Sequence, residues 1–236
     1  MSAQPAGPPA TVGWLAGSAI YRIVDWWIAF VVLTIAGERL ELNRLVRPSA
    51  AARALFASAV ALVATGACVA AFRPGSGVRL TGGGLIAVAG WLGAFDIARR
   101  TLRQRGETRF IAVCLLSSYL WLAIAGAIMV TTAASSPGLE YDAALHAVFL
   151  GFAVAMIFGH APIVFPAILG ARMRFTRAFY LHLALLHASV VVRLVGDLVE
   201  PLARVRATGG MLNALALLLF VVNTAAALGH SIPRRA

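Results

Sequence analysis

Residues 146–193 read HAVFLGFAVAMIFGHAPIVFPAILGARMRFTRAFYLHLALLHASVVVR. Two apolar runs flank the short basic turn ARMRFTR, and four of the chain's five histidines lie inside them. A bilayer core of about 30 Å takes some 20 mostly apolar residues per helix, so the stretch reads as a helical hairpin that crosses a membrane with imidazoles at depth. The rest of the chain reads as scaffold around it.

Composition supports that class. Of 236 residues 61% are hydrophobic and 12% charged, and the mean hydropathy is +0.86, well outside the range of soluble domains. The formal charge of +11 comes from arginines, with no lysine in the chain. They fall in short clusters between apolar runs, where they set topology and meet anionic lipid. Nucleic acid is therefore not an expected partner. The Arg-only, Ala-, Gly- and Val-rich composition points to a GC-rich bacterial genome and hence to the cytoplasmic (inner) membrane. Cys68 and Cys114 sit within apolar runs as small packing residues, and no disulfide framework is indicated. Residues 1–13 lack a basic leader and are expected to form a flexible arm.

Seven segments are long and apolar enough to span: Trp14 to Ala36, Ala51 to Phe72, Leu80 to Ile97, Phe110 to Ala134, Ala143 to Leu169, Ala178 to Glu200 and Gly210 to Leu228. The third, with TGGGLIAVAGWLGAF at residues 81–95, is rich in glycine, which close helix packing explains. Alternate loops collect the charge. One set carries Arg39, Arg44 and Arg47, then Arg99, Arg100, Arg103, Arg105 and Arg109, then Arg172, Arg174 and Arg177, with Arg234 and Arg235 in the tail. The other carries only Arg73 and Arg79, the acidic Glu140 and Asp142, then Arg204 and Arg206. The positive-inside rule puts the N-terminus outside and the C-terminus in the cytoplasm. The expected fold is thus an all-α polytopic membrane bundle: one seven-helix domain over residues 14–230 and a basic cytoplasmic tail over 231–236. No internal repeat is visible, and the loops are too short for a soluble catalytic domain.

Charges at membrane depth mark either an internal pair or a pathway. Arg22 and Asp25 lie in the first segment; Arg193 and Asp197 lie four apart, on one face, in the sixth. They either neutralise one another and lock helices, or an arginine grips an anionic group such as a haem propionate.

His146 and His160 are fourteen residues apart, which on a uniform α-helix returns to within roughly 40° of one face at depths about 21 Å apart. His160 and His187 are nearly equidistant from the turn at Met173 and Arg174, so they are expected at one height on adjacent antiparallel helices. Converging rings would ligate one iron or share a metal ion. His182 points about 140° away from His187 and joins such a site only on a distorted helix. His230 is expected at the cytoplasmic interface. Pro162 and Pro166 bend the fifth helix beside His160. Ser117, Ser118, Tyr119, Asn213 and Asn223 supply interhelical hydrogen bonds or support a site.

The run from His146 through Gly151-Phe152, Met156-Ile157, Gly159-His160, Pro162 and Pro166 to Gly170-Ala171-Arg172, followed by MRFTRAFYLHL, resembles the second-helix region of subunit I of the haem-copper oxidases. It is similar also to the NnrS family of haem and copper membrane proteins associated with nitric oxide. The resemblance implies an outside-to-inside helix with His146 as axial haem ligand and Pro166, Gly170 and Ala171 at its exit. It covers about a sixth of the chain. There is no His-Pro-Glu-Val-Tyr segment and no adjacent His-His pair, so an oxygen-reducing centre is not implied.

Two readings follow. In the first, the protein binds haem b, or copper in a variant, through His146, His160 and His187, with Arg193 or Arg22 on the propionates; it works in electron transfer or in handling a diatomic gas such as nitric oxide, with a membrane redox partner or as a homo-oligomer. In the second it is a cofactor-free transporter or an accessory subunit of a larger membrane complex.

Overall fold

The computed structural model describes residues 17, 19–42, 48–170, 172–199 and 203–229; they form helices and short connections, with no strand among them. After a 3-10 turn at Ile20–Arg22 come α1 (Val24–Leu42), α2 (Ala50–Ala70), α3 (Pro74–Phe95), α4 (Gly106–Thr132), α5 (Leu139–Leu169), α6 (Phe179–Leu198) and α7 (Ala203–Gly229), with a single helical turn at Ala98–Thr101. The expected arm over 1–13, the start at Trp14, Arg44, Arg47, Ala171, Glu200, His230 and the tail over 231–236 lie outside the described residues.

Six helices, α2 to α7, are long and apolar enough to cross a membrane. The protein is thus a multi-pass α-helical membrane protein. Large apolar side chains on these helices stay exposed, among them Leu55, Leu120, Ile157, Ile168, Leu181, Met211 and Leu218. Such a surface is what lipid solvates and water does not. α1 is not one of the six, because its 19 residues include Asp25, Glu38, Arg39 and Glu41.

The helices outrun the apolar segments. Arg79 lies within α3, Arg204 and Arg206 within α7, and Arg39 in the last turn of α1, where loops were expected. Hydropathy marks where apolar composition ends. The backbone hydrogen-bond ladder continues as long as each residue adopts helical dihedrals, and Pro74 at the first turn of α3 is a favourable start.

α5 is not a uniform α-helix. Residues Ala147–Val154 form a π-helical stretch between α-helical Leu139–His146 and Ala155–Leu169. The wider i→i+5 turn breaks the 100° step. The shared face expected for His146 and His160 therefore does not follow from their spacing. α5 runs through Pro162 and Pro166 and stops at Gly170, whose φ of 60° is the left-handed cap that glycine tolerates.

Contacts divide the chain into two compact units, threaded by α4 and α5: residues 1–97 with 119–148, and residues 98–118 with 149–236. A single domain was expected. α4 contributes one half to each unit, and α5 gives about its first third to the first and the remainder to the second.

In the first unit α2 and α3 pack along each other through small residues. A Cβ at Gly66 would overlap Thr81, one at Gly77 the backbone of Ala70, and one at Gly84 the backbone of Val63. Gly82 meets the Gly126 carbonyl on α4 as closely, whereas Gly90 and Gly93 face open space. The close glycine contacts of α3 are thus confined to its first half. Beyond it, Trp91 packs on Phe56 in a tilted arrangement, 4.6 Å between ring centres, and donates Nε1–H to the Ala52 carbonyl at 2.7 Å.

In the second unit α6 and α7 form the corresponding close pair. Gly196 abuts Arg206 and Gly209 abuts Arg193, while Ser189 donates to Asn213 Oδ1. Its core joins Phe110, Cys114, Phe158, Phe179, Leu183, Leu186 and Phe220. Cys114 is a free, buried thiol packed on Gly159, and Cys68 is free and exposed.

Candidate functional site

The four described histidines fall into two kinds. His146 Nδ1 lies 2.7 Å from the Asp142 carbonyl, and His160 Nδ1 lies 2.7 Å from the Met156 carbonyl, each four residues back on α5. A carbonyl oxygen only accepts, so Nδ1 carries the proton and Nε2 keeps its lone pair. The Asp142 carboxylate lies 3.6 Å from the same Nδ1 of His146. An N–H pinned to a backbone carbonyl or carboxylate is how proteins orient an imidazole that ligates a metal through its other nitrogen. Both rings are half-buried.

The α6 histidines are held by neighbouring helices. His182 is fully buried inside a cage of Phe158 (4.8 Å between ring centres), Phe179 (5.4 Å), Phe220 (5.4 Å) and Phe110 (6.0 Å). Asn223 Nδ2 lies 3.1 Å from the Ala178 carbonyl and 3.2 Å from His182 Nδ1. One amide hydrogen goes to each, so Nδ1 accepts and Nε2 bears the proton. That Nε2 has no hydrogen-bond partner among the described residues. With its proton on Nε2 and its Nδ1 used, His182 offers no lone pair to an ion. The expectation of His182 as a fourth metal ligand is not what this geometry offers, because aromatic packing fills the space an ion needs.

His187 Nε2 sits 2.9 Å from Ser117 Oγ, whose own proton goes to the Val113 carbonyl at 2.7 Å. The serine therefore accepts, and His187 Nε2 donates. Among the described residues, no three-donor ion site forms from His160, His182 and His187.

The charges expected at depth are arranged differently from the sequence pattern. Asp197 is buried and paired with both Arg193 (3.2 Å) and Arg206 (2.6 Å), and Arg193 also donates to the Arg206 carbonyl at 3.3 Å. The Arg193–Asp197 pair was legible from its i,i+4 spacing; Arg206 was not, because it was assigned to a loop. Arg22 is exposed and lies over the Tyr21 ring at 5.8 Å. No ion pair joins it to Asp25 among the described residues. Asp25 is buried beside Tyr21 and Tyr141.

A second buried cluster escaped the sequence. Arg39 forks onto Asp96, Nε to Oδ2 at 2.9 Å and Nη2 to Oδ1 at 3.0 Å, and Tyr119 donates to the same carboxylate at 2.8 Å. All three are buried. Arg39 counted only as a loop charge, and Asp96 was not singled out. A bidentate arginine–carboxylate pair needs the two ends of α1 and α3 to meet, which spacing cannot reveal.

Two cavities in the second unit are lined by described residues. One, of about 200 Å³, is lined by Arg174, Thr176, Ala178, Asn223, Ala226 and Ala227. The other, of about 870 Å³, is lined by Arg105, Arg109, Arg177, Thr176, Phe175 and Tyr180, among others. Neither is bordered by a histidine.

Helical bundle, lipid-facing apolar surface and internally paired charges together define a polytopic membrane protein. Within that class the chain belongs to DUF8744, a family described as a domain of unknown function, whose model matches residues 3–228. No curated protein and no solved structure matches it.

Proposed function

We propose that the protein is a bacterial inner-membrane protein that binds haem b, or copper in its place, through Nε2 of His146 or of His160, and serves electron transfer or the handling of a diatomic gas such as nitric oxide. In this reading α1, with the residues before it, is a seventh span; the N-terminus lies outside and the C-terminus in the cytoplasm.

The observation that carries the reading is the pinned Nδ1–H of both α5 histidines. Both lie in the run that resembles the oxidase and NnrS helices, and they are the two whose outer nitrogen keeps a lone pair. The donor set fits an axial imidazole. The propionate role does not fit Arg193, which is committed to Asp197 and the Arg206 carbonyl. A haem b iron supplies one-electron redox chemistry and a face for a diatomic ligand. The chain's part is to hold each proton on Nδ1, through the Asp142 and Met156 carbonyls, so that Nε2 alone is presented.

A second reading, a cofactor-free accessory subunit, is favoured by the internal pairing of Arg39 with Asp96 and of Asp197 with two arginines. Charges tied up in this way glue helices rather than line a path.

The test is haem extraction and metal analysis of the detergent-purified full chain from cells supplied with haem and copper. Stoichiometric haem or copper supports the first reading; protein free of both, under either supply, leaves the second.

A further inference from the structure

We propose that the cavity bounded by Arg105, Arg109 and Arg177 binds a negatively charged phosphate ester. The inference is independent of the histidines and of any cofactor. Arg105 and Arg109 stand four residues apart at the start of α4, and Arg177 comes from the connection between α5 and α6. All three are exposed, and none has an acidic partner among the described residues, although Glu107 shares the first turn of α4. The arginines inside the helix packing, Arg39, Arg193 and Arg206, are instead neutralised by Asp96 or Asp197.

The volume, about 870 Å³, admits more than a bare ion. One wall is aromatic: Phe175 and Tyr180 line it, each packed on Phe110 at 5.6 and 5.2 Å between ring centres. A cationic rim over an apolar wall suits a phosphate with an organic substituent. Guanidinium forks match phosphate oxygens bidentately. Gly106, at φ 66°, turns the chain into α4 in a left-handed conformation that a side chain would strain, and so brings the positive end of the helix to the cavity edge. The phosphate's source is either an anionic lipid headgroup or a soluble phosphate ester.

The test is calorimetric titration of the full chain in a maltoside detergent with short-chain phosphatidylglycerol, phosphatidylcholine of equal chain length, and inorganic phosphate. Saturable phosphatidylglycerol binding about tenfold or more tighter than phosphatidylcholine is expected, since one charge-assisted contact is worth roughly that factor. Phosphate binding as tightly as phosphatidylglycerol identifies a soluble ester as the source; much weaker phosphate binding identifies the lipid. The triple variant Arg105→Gln, Arg109→Gln, Arg177→Gln should lose about tenfold or more, while Arg53→Gln, Arg73→Gln, Arg79→Gln, of equal net charge, keeps its affinity. Equal loss in the two, equal affinity for both lipids, or no saturable binding overturns the proposal. If the first triple variant does not fold, Arg177→Gln alone decides: about threefold loss supports the site and unchanged affinity overturns it.

Discussion

The histidines of α5 and those of α6 sit in helices of similar composition and yet are held in opposite ways. His146 and His160 are anchored by carbonyls of their own helix, so the outer nitrogen is left for something the helix does not contain. His182 and His187 are anchored by Asn223, Ser117 and four phenylalanines from neighbouring helices. A ring fixed from within its helix can serve a ligand without repacking; a ring fixed by its neighbours is part of the packing. The buried Arg39–Asp96 and Asp197–arginine clusters belong with the α6 histidines, because each joins side chains of different elements.

That contrast separates substitutions that cost stability from those that cost only binding. The largest loss is expected for Asp96→Ala, which strands the buried Arg39 guanidinium at a cost of about 3–5 kcal/mol. It should appear as a sharply lowered thermal midpoint in detergent, and Arg39→Met with Asp96→Leu should recover most of it. His182→Ala comes next, at about 2–4 kcal/mol, because it empties an aromatic cage and leaves Asn223 with one partner fewer. Circular dichroism melts read it directly, and an unchanged midpoint would break the contrast. Ser117→Ala should cost about 0.5–1 kcal/mol, the usual worth of an interhelical hydrogen bond in a membrane protein, and denaturant titration of the same preparation measures it. Smallest of all, His146→Gln and His160→Gln should change stability by less than about 0.5 kcal/mol, since each ring bonds only to its own helix and is half-buried.

Much of this architecture was legible in the sequence. Apolar length located α2 to α7, and the i,i+4 spacing found Arg193 with Asp197. The apolar run ended α5 at Leu169 and the resemblance put its exit at Gly170, where the structure has the left-handed cap. Of the polar residues on α4 and α7, Ser117, Tyr119, Asn213 and Asn223 bond across helices, whereas Ser118 bonds back to the Leu115 carbonyl. What escaped was non-local or broke a periodicity. Asp96 with Arg39 and Tyr119 is a meeting of residues 23 and 57 positions apart in sequence, and Arg206 meets Asp197 across the connection between two helices. The π-helical Ala147–Val154 cannot be foreseen from a run in which every residue is apolar or glycine, and it removes the face arithmetic for His146 and His160. Nor can tautomers be read from spacing, and it is the tautomers that sort the four rings.

The most direct measurement is the dithionite-reduced minus oxidised optical spectrum of the purified full chain beside four variants: His146→Gln, His160→Gln, His182→Gln and His187→Gln. The account predicts a haem spectrum lost or shifted in at least one of the two α5 variants and retained, in whatever folded fraction survives, in the two α6 variants. Retention in both α5 variants with loss in His187→Gln would contradict it.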